Sequence, residues 1–263
     1  MVKNISIIPE FKNIDAYVAY AKERGLAFEY NDFFDPSVLD DEDKTSELID
    51  GYLQALSKGG YQCARHSMHG AFFDVTIFSS DNLIREVSEK RIMQSMEIAK
   101  RINASTIVFH TNSIGGFCDD AYVQRFISLN KIFWTKVADL YPKVNICIEN
   151  MFDHSPELAI RLFNQLEGVP NIGMCLDYAH VNVFGKSMEP NLWLEMCKSY
   201  VKHIHINDNN LDKDSHLALG EGNIDYKSFF EYYKEHFSHI SCLIEVNGFE
   251  RIKKSMEYID SIC

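Results

Sequence analysis

The sequence lacks the segments that would divide it into several domains or anchor it in a membrane. Its 263 residues include only 6 Pro, and no stretch rich in Pro, Gly or Ser interrupts them, so we predict one domain spanning residues 1–263. No apolar run approaches the roughly 20 residues that cross a bilayer, and the N-terminal MVKNISIIPEF has no signal-peptide core of useful length. We therefore expect a cytoplasmic chain without a membrane partner.

Paired cysteines and an excess of positive charge are missing as well. The 7 Cys show neither a CxxC spacing nor a paired framework, which predicts reduced thiols in a cytosolic protein. Lys and Arg number 26 against 38 Asp and Glu, and the net charge of −12 counts against a general surface for nucleic acids or anionic lipids. Bound divalent cations would offset part of this charge. Since 46% of the residues are apolar, we expect a substantial core.

The chain does contain a regular alternation of short apolar runs and amphipathic stretches. Eight such units, of about 33 residues each, are typical of a (β/α)8 TIM barrel, whereas a doubly wound sheet seldom needs eight regular units. We therefore predict an α/β fold with one barrel and an active site at the carboxyl ends of its strands. The predicted strands are 2–8, 26–30, 61–67, 105–110, 144–150, 171–177, 200–207 and 241–247; the predicted helices are 14–24, 46–58, 83–102, 121–141, 155–166, 190–200, 225–237 and 249–262.

Cap residues support several of these helices. Ser155 is the predicted N-cap of a helix whose first turn contains Pro156. Gly25 and Gly59 follow helical runs, where a left-handed C-terminal residue is expected. Asp225 is predicted to cap the helix that follows it.

Histidines and carboxylates collect where the predicted strands three to eight end. Carboxylates rarely lie buried without a partner, and several gathered around one axis repel each other unless cations or protons neutralise them. Imidazoles interleaved with them favour divalent metal binding. We predict a metal site from nine residues: His69, His110, Glu149, Asp177, His180, His205, Asp214, His216 and Glu245.

Strand alternation places further polar side chains deeper in the barrel. Cys147, Cys175 and His203 share a face with the strand-end residues two positions later and lie about 6.6 Å below them. We predict that both cysteines pack in the core rather than bind metal. For His203, a supporting contact behind the metal ligands and a packed core position both remain open.

Several segments resemble the xylose-isomerase-like TIM-barrel superfamily, which includes sugar phosphate isomerases and epimerases as well as type IV apurinic endonucleases. The resemblance runs from about residue 60 to 247, and the pair LDYAH and DSHLALGEGNID is its most specific part. The segments are HGAF (69–72), VFH (108–110), IEN (148–150), LDYAH (176–180), HIND (205–208), DSHLALGEGNID (214–225) and IEV (244–246).

The resemblance implies two different sites. In the isomerase and epimerase branch, one divalent ion would be held by Glu149, Asp177, His205 and Glu245, and the two glutamates would be the catalytic acid/base pair. In the endonuclease branch, all nine residues would hold a three-zinc cluster. We therefore expect Zn, Mn or Co as cofactor, with one to three ions per chain.

The charge of residues 31–50 favours the isomerase and epimerase branch over the endonuclease branch. Residues 31–50 contain eight acidic side chains and one Lys, and on the active-site face they would repel a nucleic-acid backbone. A solvated acidic helix start explains the same residues. We predict an isomerase or epimerase that moves protons next to the carbonyl of a small sugar or sugar phosphate. The alternatives are a multinuclear phosphoesterase acting on abasic DNA or a small phosphodiester and, third, a non-catalytic metal- or sugar-binding protein.

Two features remain beside the predicted metal ligands. Phe72 and Phe73 follow His69 where the endonuclease branch inserts side chains into a duplex; they could equally form an apolar wall for a sugar, or simply pack. Gly220 and Gly222 are predicted to let the backbone turn closely beneath the site rather than to cradle a phosphate.

Overall fold

The computed structural model describes residues 2–117, 119–185 and 187–263. Eight parallel strands form a closed barrel in chain order, with β1 hydrogen-bonded to β8, so the predicted single (β/α)8 TIM barrel is confirmed. The strands are β1 (Ile5–Ile7), β2 (Ala27–Tyr30), β3 (Ser67–His69), β4 (Thr106–His110), β5 (Asn145–Glu149), β6 (Ile172–Asp177), β7 (Val201–Ile206) and β8 (Ser241–Ile244).

Ten α-helices lie among the described residues, and most of them connect successive strands. A 3-10 turn at Phe11–Asn13 precedes the first helix, and a π-helical turn at Tyr233–Phe237 extends the ninth. None of the helices in the described ranges is long and apolar enough to cross a membrane. The helices are α1 (Ile14–Arg24), α2 (Pro36–Leu39), α3 (Glu42–Gly59), α4 (Asn82–Arg101), α5 (Asp120–Leu140), α6 (Glu157–Gln165), α7 (Tyr178–Phe184), α8 (Pro190–Cys197), α9 (Tyr226–Tyr232) and α10 (Phe249–Ile262).

Two separate cores follow from the alternation of side chains along the strands. The larger core lies between the sheet and the helices, where Phe109 of β4 packs on Trp134 of α5 with ring centroids 5.3 Å apart. A small cluster of Val108, Cys147 and Cys175 lies apart from it, on the strand face that leads to the site. The six cysteines in the described ranges are unpaired, whereas Cys118 lies outside those ranges.

Several boundaries differ from the sequence prediction. The third strand is Ser67–His69 rather than 61–67; the residues before it are largely polar, and His66 uses Nδ1 to accept a hydrogen bond from the Phe28 N–H at 2.9 Å. Helix α6 is capped by Pro156, one residue later than predicted. Gly25 and Asp225 cap their helices as predicted.

The left-handed residue after α3 is Gly60 (φ 58°), not Gly59. Gly59 is the last residue of the helix, and a Cβ there would lie 2.3 Å from Cγ1 of Val18 in α1. The first glycine therefore permits close helix packing, while the second permits the turn.

Candidate metal centre

The nine predicted residues lie together at the carboxyl end of the barrel. Each comes from a strand end or from the loop or helix that follows it, and their potential ligand atoms form three groups, each with its atoms within 4.8 Å of one another. The groups are His69, His110 and Glu149; Glu149, Asp177, His205 and Glu245; and His180, Asp214 and His216.

Glu149 belongs to two of the three groups. Its Oε2 lies 3.5 Å from Nε2 of His69 and 3.7 Å from Nε2 of His110. The same oxygen lies 3.3 Å from Nδ1 of His205, and Glu245 Oε2 approaches that nitrogen to 3.5 Å. The side chain is only 1% exposed. The Glu149 carboxylate therefore lies between the His69–His110 pair and His205. The group of Glu149, Asp177, His205 and Glu245 is called the central group below.

Asp214 lies between two imidazoles in the third group. Its Oδ2 is 2.8 Å from Nε2 of His216 and 3.4 Å from Nε2 of His180. The opposite nitrogens face main-chain carbonyls: Nδ1 of His180 lies 2.9 Å from Asn150 O, and Nδ1 of His216 lies 2.9 Å from Glu245 O. Since a carbonyl can only accept, each Nδ1 donates, and in the neutral imidazole each Nε2 presents a lone pair to the carboxylate.

His69 follows the same pattern at the opposite end of the centre. Its Nδ1 lies 3.0 Å from Gly70 O, and its Nε2 faces Nε2 of His110 at 3.2 Å. Lone pairs directed at each other or at a carboxylate are unfavourable unless a proton or a cation lies between them. A backbone carbonyl that holds the far nitrogen of an imidazole is a common support of metal-binding histidines.

The unsatisfied polar atoms of the centre also fit a divalent cation. Among the described residues, no hydrogen bond reaches either carboxylate oxygen of Glu149, Oδ2 of Asp177, Nδ1 of His205 or Oε2 of Glu245. Burial, with the neighbouring carboxylates, raises the pKa of Asp177 to about 8, and burial lowers the pKa of His110 to about 3. Carboxylates and neutral imidazoles with free ligand atoms are the donor set that Zn and similar ions take.

The run Gly220–Gly222 serves a different purpose. The carboxylate of Asp208, 1% exposed, accepts hydrogen bonds from the N–H groups of Gly220 and Gly222, both at 2.9 Å, and of Ile224 at 3.2 Å. These amides are therefore already paired, which agrees with the prediction that the glycines shape the loop and do not cradle a phosphate.

Replacing Gly222 by Ala is expected to lower the free energy of unfolding by about 1–3 kcal/mol. A Cβ at this position would lie 2.3 Å from Asn209 O and 2.4 Å from Oδ1 of Asp208, so the main chain itself must shift. Urea denaturation measures the effect, and Lys213→Ala in the exposed part of the same loop is the control. Equal stability of the Gly222→Ala and wild-type proteins would contradict this tight packing.

Residues 31–50 look different in the structure than their composition indicates. Asp35 and Asp41 cap α2 and α3. Asp40 pairs with Arg91 at 2.6 Å, and Glu42 pairs with Arg101 at 2.8 Å. These carboxylates start helices or join α4, so the segment matches the solvated helix start and gives a weaker argument against a phosphate substrate.

Two phenylalanines lie beside the imidazole pair. The Phe72 ring packs on His110 and His69 with centroids 4.7 and 4.9 Å apart. The ring centroid of Phe73 lies 4.1 Å from that of Phe72, and Phe73 is 69% exposed. Phe72 therefore covers His69 and His110, while Phe73 presents an aromatic surface to solvent next to Phe72.

Sequence reasoning missed several residues that hold the centre in place. Asn150 links the ends of β5 and β6. Its side-chain Nδ2 donates a hydrogen bond to Asp177 O, and its Oδ1 accepts one from Asp177 N, both at 3.0 Å. Glu29, in the apolar strand β2, is fully buried beside His203 and His205; a carboxylate inside an apolar run was the available signal. Cys175 also lies closer than the alternation predicted, with Sγ within 4.8 Å of ligand atoms of Glu149 and His205. Burial raises the pKa of its thiol well above the usual range.

Comparison with known proteins places this geometry in a family. A family model described as "Xylose isomerase-like TIM barrel" matches residues 18–262. A protein of Methanocaldococcus jannaschii described as uncharacterized is 28% identical over 209 residues, which are 73% of this chain and 77% of that protein. The probable endonuclease 4 of Ureaplasma urealyticum serovar 10 is 27% identical over 192 residues, and the match covers 65% of this chain but only 62% of that protein.

Solved structures share the fold at lower identity. A Thermus thermophilus protein soaked with ZnCl2 superimposes with a TM-score of 0.78 at 19% identity, covering 99% of this chain and 98% of the other. A D-tagatose 3-epimerase-like protein gives a TM-score of 0.73 at 20% identity, with coverage of 89% and 87%. The same barrel is thus found in a protein that was soaked with ZnCl2 and in a D-tagatose 3-epimerase-like protein.

Proposed function

Because this chain belongs to the xylose isomerase-like TIM-barrel family, whose members are generally enzymes, we propose that it is a metal-dependent phosphoesterase that hydrolyses a small phosphodiester. One observation carries this proposal. His180 and His216 both direct Nε2 at Asp214 while main-chain carbonyls hold their other nitrogens. This third group would have no use in an enzyme that needs one cation among Glu149, Asp177, His205 and Glu245.

Each group would hold one divalent cation, and Glu149 would contact two of them. When bound, divalent cations supply Lewis acidity to a phosphate ester and to the water that attacks it. The protein contributes the arrangement: Asn150 fixes the tips of β5 and β6, and the imidazoles of His69, His180 and His216 are oriented by carbonyls. Ligands held in this way need no rearrangement when the substrate enters.

The charge of the centre supports an anionic substrate only if several cations bind. The three groups contain four carboxylates, a charge of about −4 when all are ionised. Three divalent cations would leave about +2 and attract a phosphate, whereas one would leave about −2, which suits a neutral sugar better. The number of bound cations thus separates the two reactions.

A small substrate fits this chain better than duplex DNA. The net charge of −12 opposes a long polyanion. We propose that Phe72 forms a wall of the site and that Phe73 contacts an apolar or aromatic ester group. The exposed Phe73 ring packs on Phe72, which itself contacts His69 and His110, and provides such a surface.

The Phe73→Ala variant is expected to raise KM for bis(p-nitrophenyl) phosphate about tenfold with little change in kcat, because one ring contact contributes roughly 1–1.5 kcal/mol. Ile132→Ala is the matched control, since Ile132 is 67% exposed and lines a groove against α6, away from the nine residues. A kcat that falls while KM stays constant would argue against a substrate contact.

A second candidate is an isomerase or epimerase with one cation in the central group. Glu149 and Glu245 both place an oxygen within 3.5 Å of Nδ1 of His205, so two carboxylates converge on one position. Such a pair can exchange protons with carbon next to a carbonyl.

The deciding experiment combines metal analysis with parallel assays on one preparation purified without chelator. We expect about three divalent ions per chain, hydrolysis of bis(p-nitrophenyl) phosphate, and no deuterium incorporation into ketoses or aldoses in heavy water. One ion with deuterium incorporation and no hydrolysis would replace our proposal by the isomerase. Faster nicking of an abasic oligonucleotide than hydrolysis of the small diester would make DNA the substrate.

A further inference from the structure

A cluster of buried polar side chains lies inside the barrel next to the candidate metal centre. Glu29 of β2 and His203 of β7 are both 0% exposed. Glu29 Oε2 accepts a hydrogen bond from Ser67 Oγ at 2.7 Å and lies 2.9 Å from Nε2 of His203. His203 Nδ1 lies 2.5 Å from Ser241 Oγ. Side chains of four strands thus form one network of polar contacts around the Glu29 carboxylate.

This network of polar contacts ends at His205, which also belongs to the central group. Glu29 Oε1 lies 3.1 Å from Nε2 of His205, while Nδ1 of the same ring faces Glu149 and Glu245 at 3.3 and 3.5 Å. The imidazole of His205 therefore separates one carboxylate within the barrel from two carboxylates of the candidate centre. Among the described residues, no main-chain carbonyl forms a hydrogen bond with either of its ring nitrogens, unlike those of His180 and His216.

We propose that Glu29 is a positioning residue that holds the Nε2–H of His205 and so leaves Nδ1 as the atom that binds a cation. A carboxylate can only accept a hydrogen bond, so its presence next to Nε2 selects the tautomer with the proton on that nitrogen. His203 Nε2 and Ser67 Oγ in turn donate to the other oxygen and keep the carboxylate oriented. The inference rests on the proposed metal centre but not on the reaction that it catalyses.

The hydroxyl partners in this cluster favour a proton over a fourth cation, since Ser67 Oγ donates to Glu29 Oε2 at 2.7 Å and Ser241 Oγ lies beside Nδ1 of His203. Glu29, His203 and His205 could in principle hold an ion, since their ligand atoms lie within 4.8 Å of one another. Glu29 Oε2 and Nε2 of His203, 2.9 Å apart, form a hydrogen bond. Glu29 Oε1 lies 3.1 Å from Nε2 of His205, within hydrogen-bonding distance, and neither of these two atoms has another hydrogen-bond partner among the described residues.

The test compares Glu29→Leu, which removes the acceptor, with Glu29→Gln, which keeps a carbonyl that can accept from His205. Zinc affinity is measured by competition with a chelator, and long-range ¹H–¹⁵N spectra of the zinc-loaded protein report which imidazole nitrogen carries the proton. The His205 signals are assigned from their loss in His205→Gln. Ser6→Ala is the control, since Ser6 is also buried in a barrel strand and its hydroxyl has no hydrogen-bond partner among the described residues.

We expect the Leu variant to bind the zinc of the central group about 10–100-fold more weakly and the Gln variant to lose much less. In the wild-type protein and the Gln variant, His205 should carry a slowly exchanging Nε2–H. A wild-type spectrum with the proton on Nδ1 would overturn the proposal, even if the Leu variant fails to fold. Unchanged zinc affinity in a folded Leu variant, or a fourth zinc lost from it, would overturn it equally.

Discussion

Replacing Glu149 by Gln is expected to reduce phosphodiester hydrolysis at least about 10³-fold and to remove two of three bound cations. One oxygen of Glu149 faces both the His69–His110 pair and His205, so the variant takes a ligand from two groups at once. The amide is nearly the same size but carries no charge, and a neutral ligand cannot offset the cations. Metal analysis and kcat for bis(p-nitrophenyl) phosphate measure the two losses.

The metal-free Glu149→Gln protein should unfold at a lower temperature than the metal-free wild type at neutral pH. Glu149 is 1% exposed and burial alone would raise the pKa of its carboxyl, but the imidazoles of His205 and His110 outweigh burial and hold that pKa well below the usual range. The ionised carboxylate therefore stabilises the metal-free fold, and the neutral amide loses this contribution. Glu167→Gln, the same substitution at an exposed position, is the control. If Glu149→Gln retained three cations, the carboxylate would not join the two groups.

Replacing Asp214 by Asn is expected to remove one cation and to lower phosphodiester hydrolysis about 100-fold or more. The carboxylate lies between Nε2 of His180 and Nε2 of His216, whereas the central group does not include it. A phosphoesterase therefore loses activity, and an isomerase with one central cation keeps its rate of deuterium exchange. The variant therefore distinguishes the two reactions, because it should lower hydrolysis by a phosphoesterase and leave deuterium exchange by an isomerase unchanged.

Asp212→Asn is the matched control for this substitution. Asp212 is exposed in the same loop, two residues earlier, and its carboxylate accepts a hydrogen bond from Lys213 N at 2.8 Å. It should keep all bound cations and full activity. A loss of hydrolysis in both variants would trace the effect to the loop conformation and not to the ligand.

The fold could be predicted well where the local pattern was long. Helices α1 and α10 begin and end at the predicted residues, because their amphipathic pattern spans several turns and glycines border both. The third strand was misplaced because Ser67–His69 is only 3 residues long and has no alternation to detect. Helix α7 was not predicted at all; its 7 residues follow β6 without a loop.

The positions of the site residues were accessible from sequence, but their grouping was not. Strand ends of a parallel barrel meet at one rim, which was sufficient to bring the nine residues together. That Glu149 faces two groups and Asp214 a third depends on side-chain directions, which the sequence pattern does not specify. Glu29 illustrates the same limit, since its partner His203 lies 174 residues away in sequence and only closure of the barrel brings them together.

The carbonyls that orient His69, His180 and His216 bear on how this centre can change during evolution. They belong to the peptide main chain at Gly70, Asn150 and Glu245, so no side-chain substitution at those positions deletes the acceptor. His205 instead faces a side chain, Glu29, which a single codon change can replace. Variation in metal preference among relatives is therefore expected to follow the residue at position 29 more closely than the residues around His69, His180 and His216.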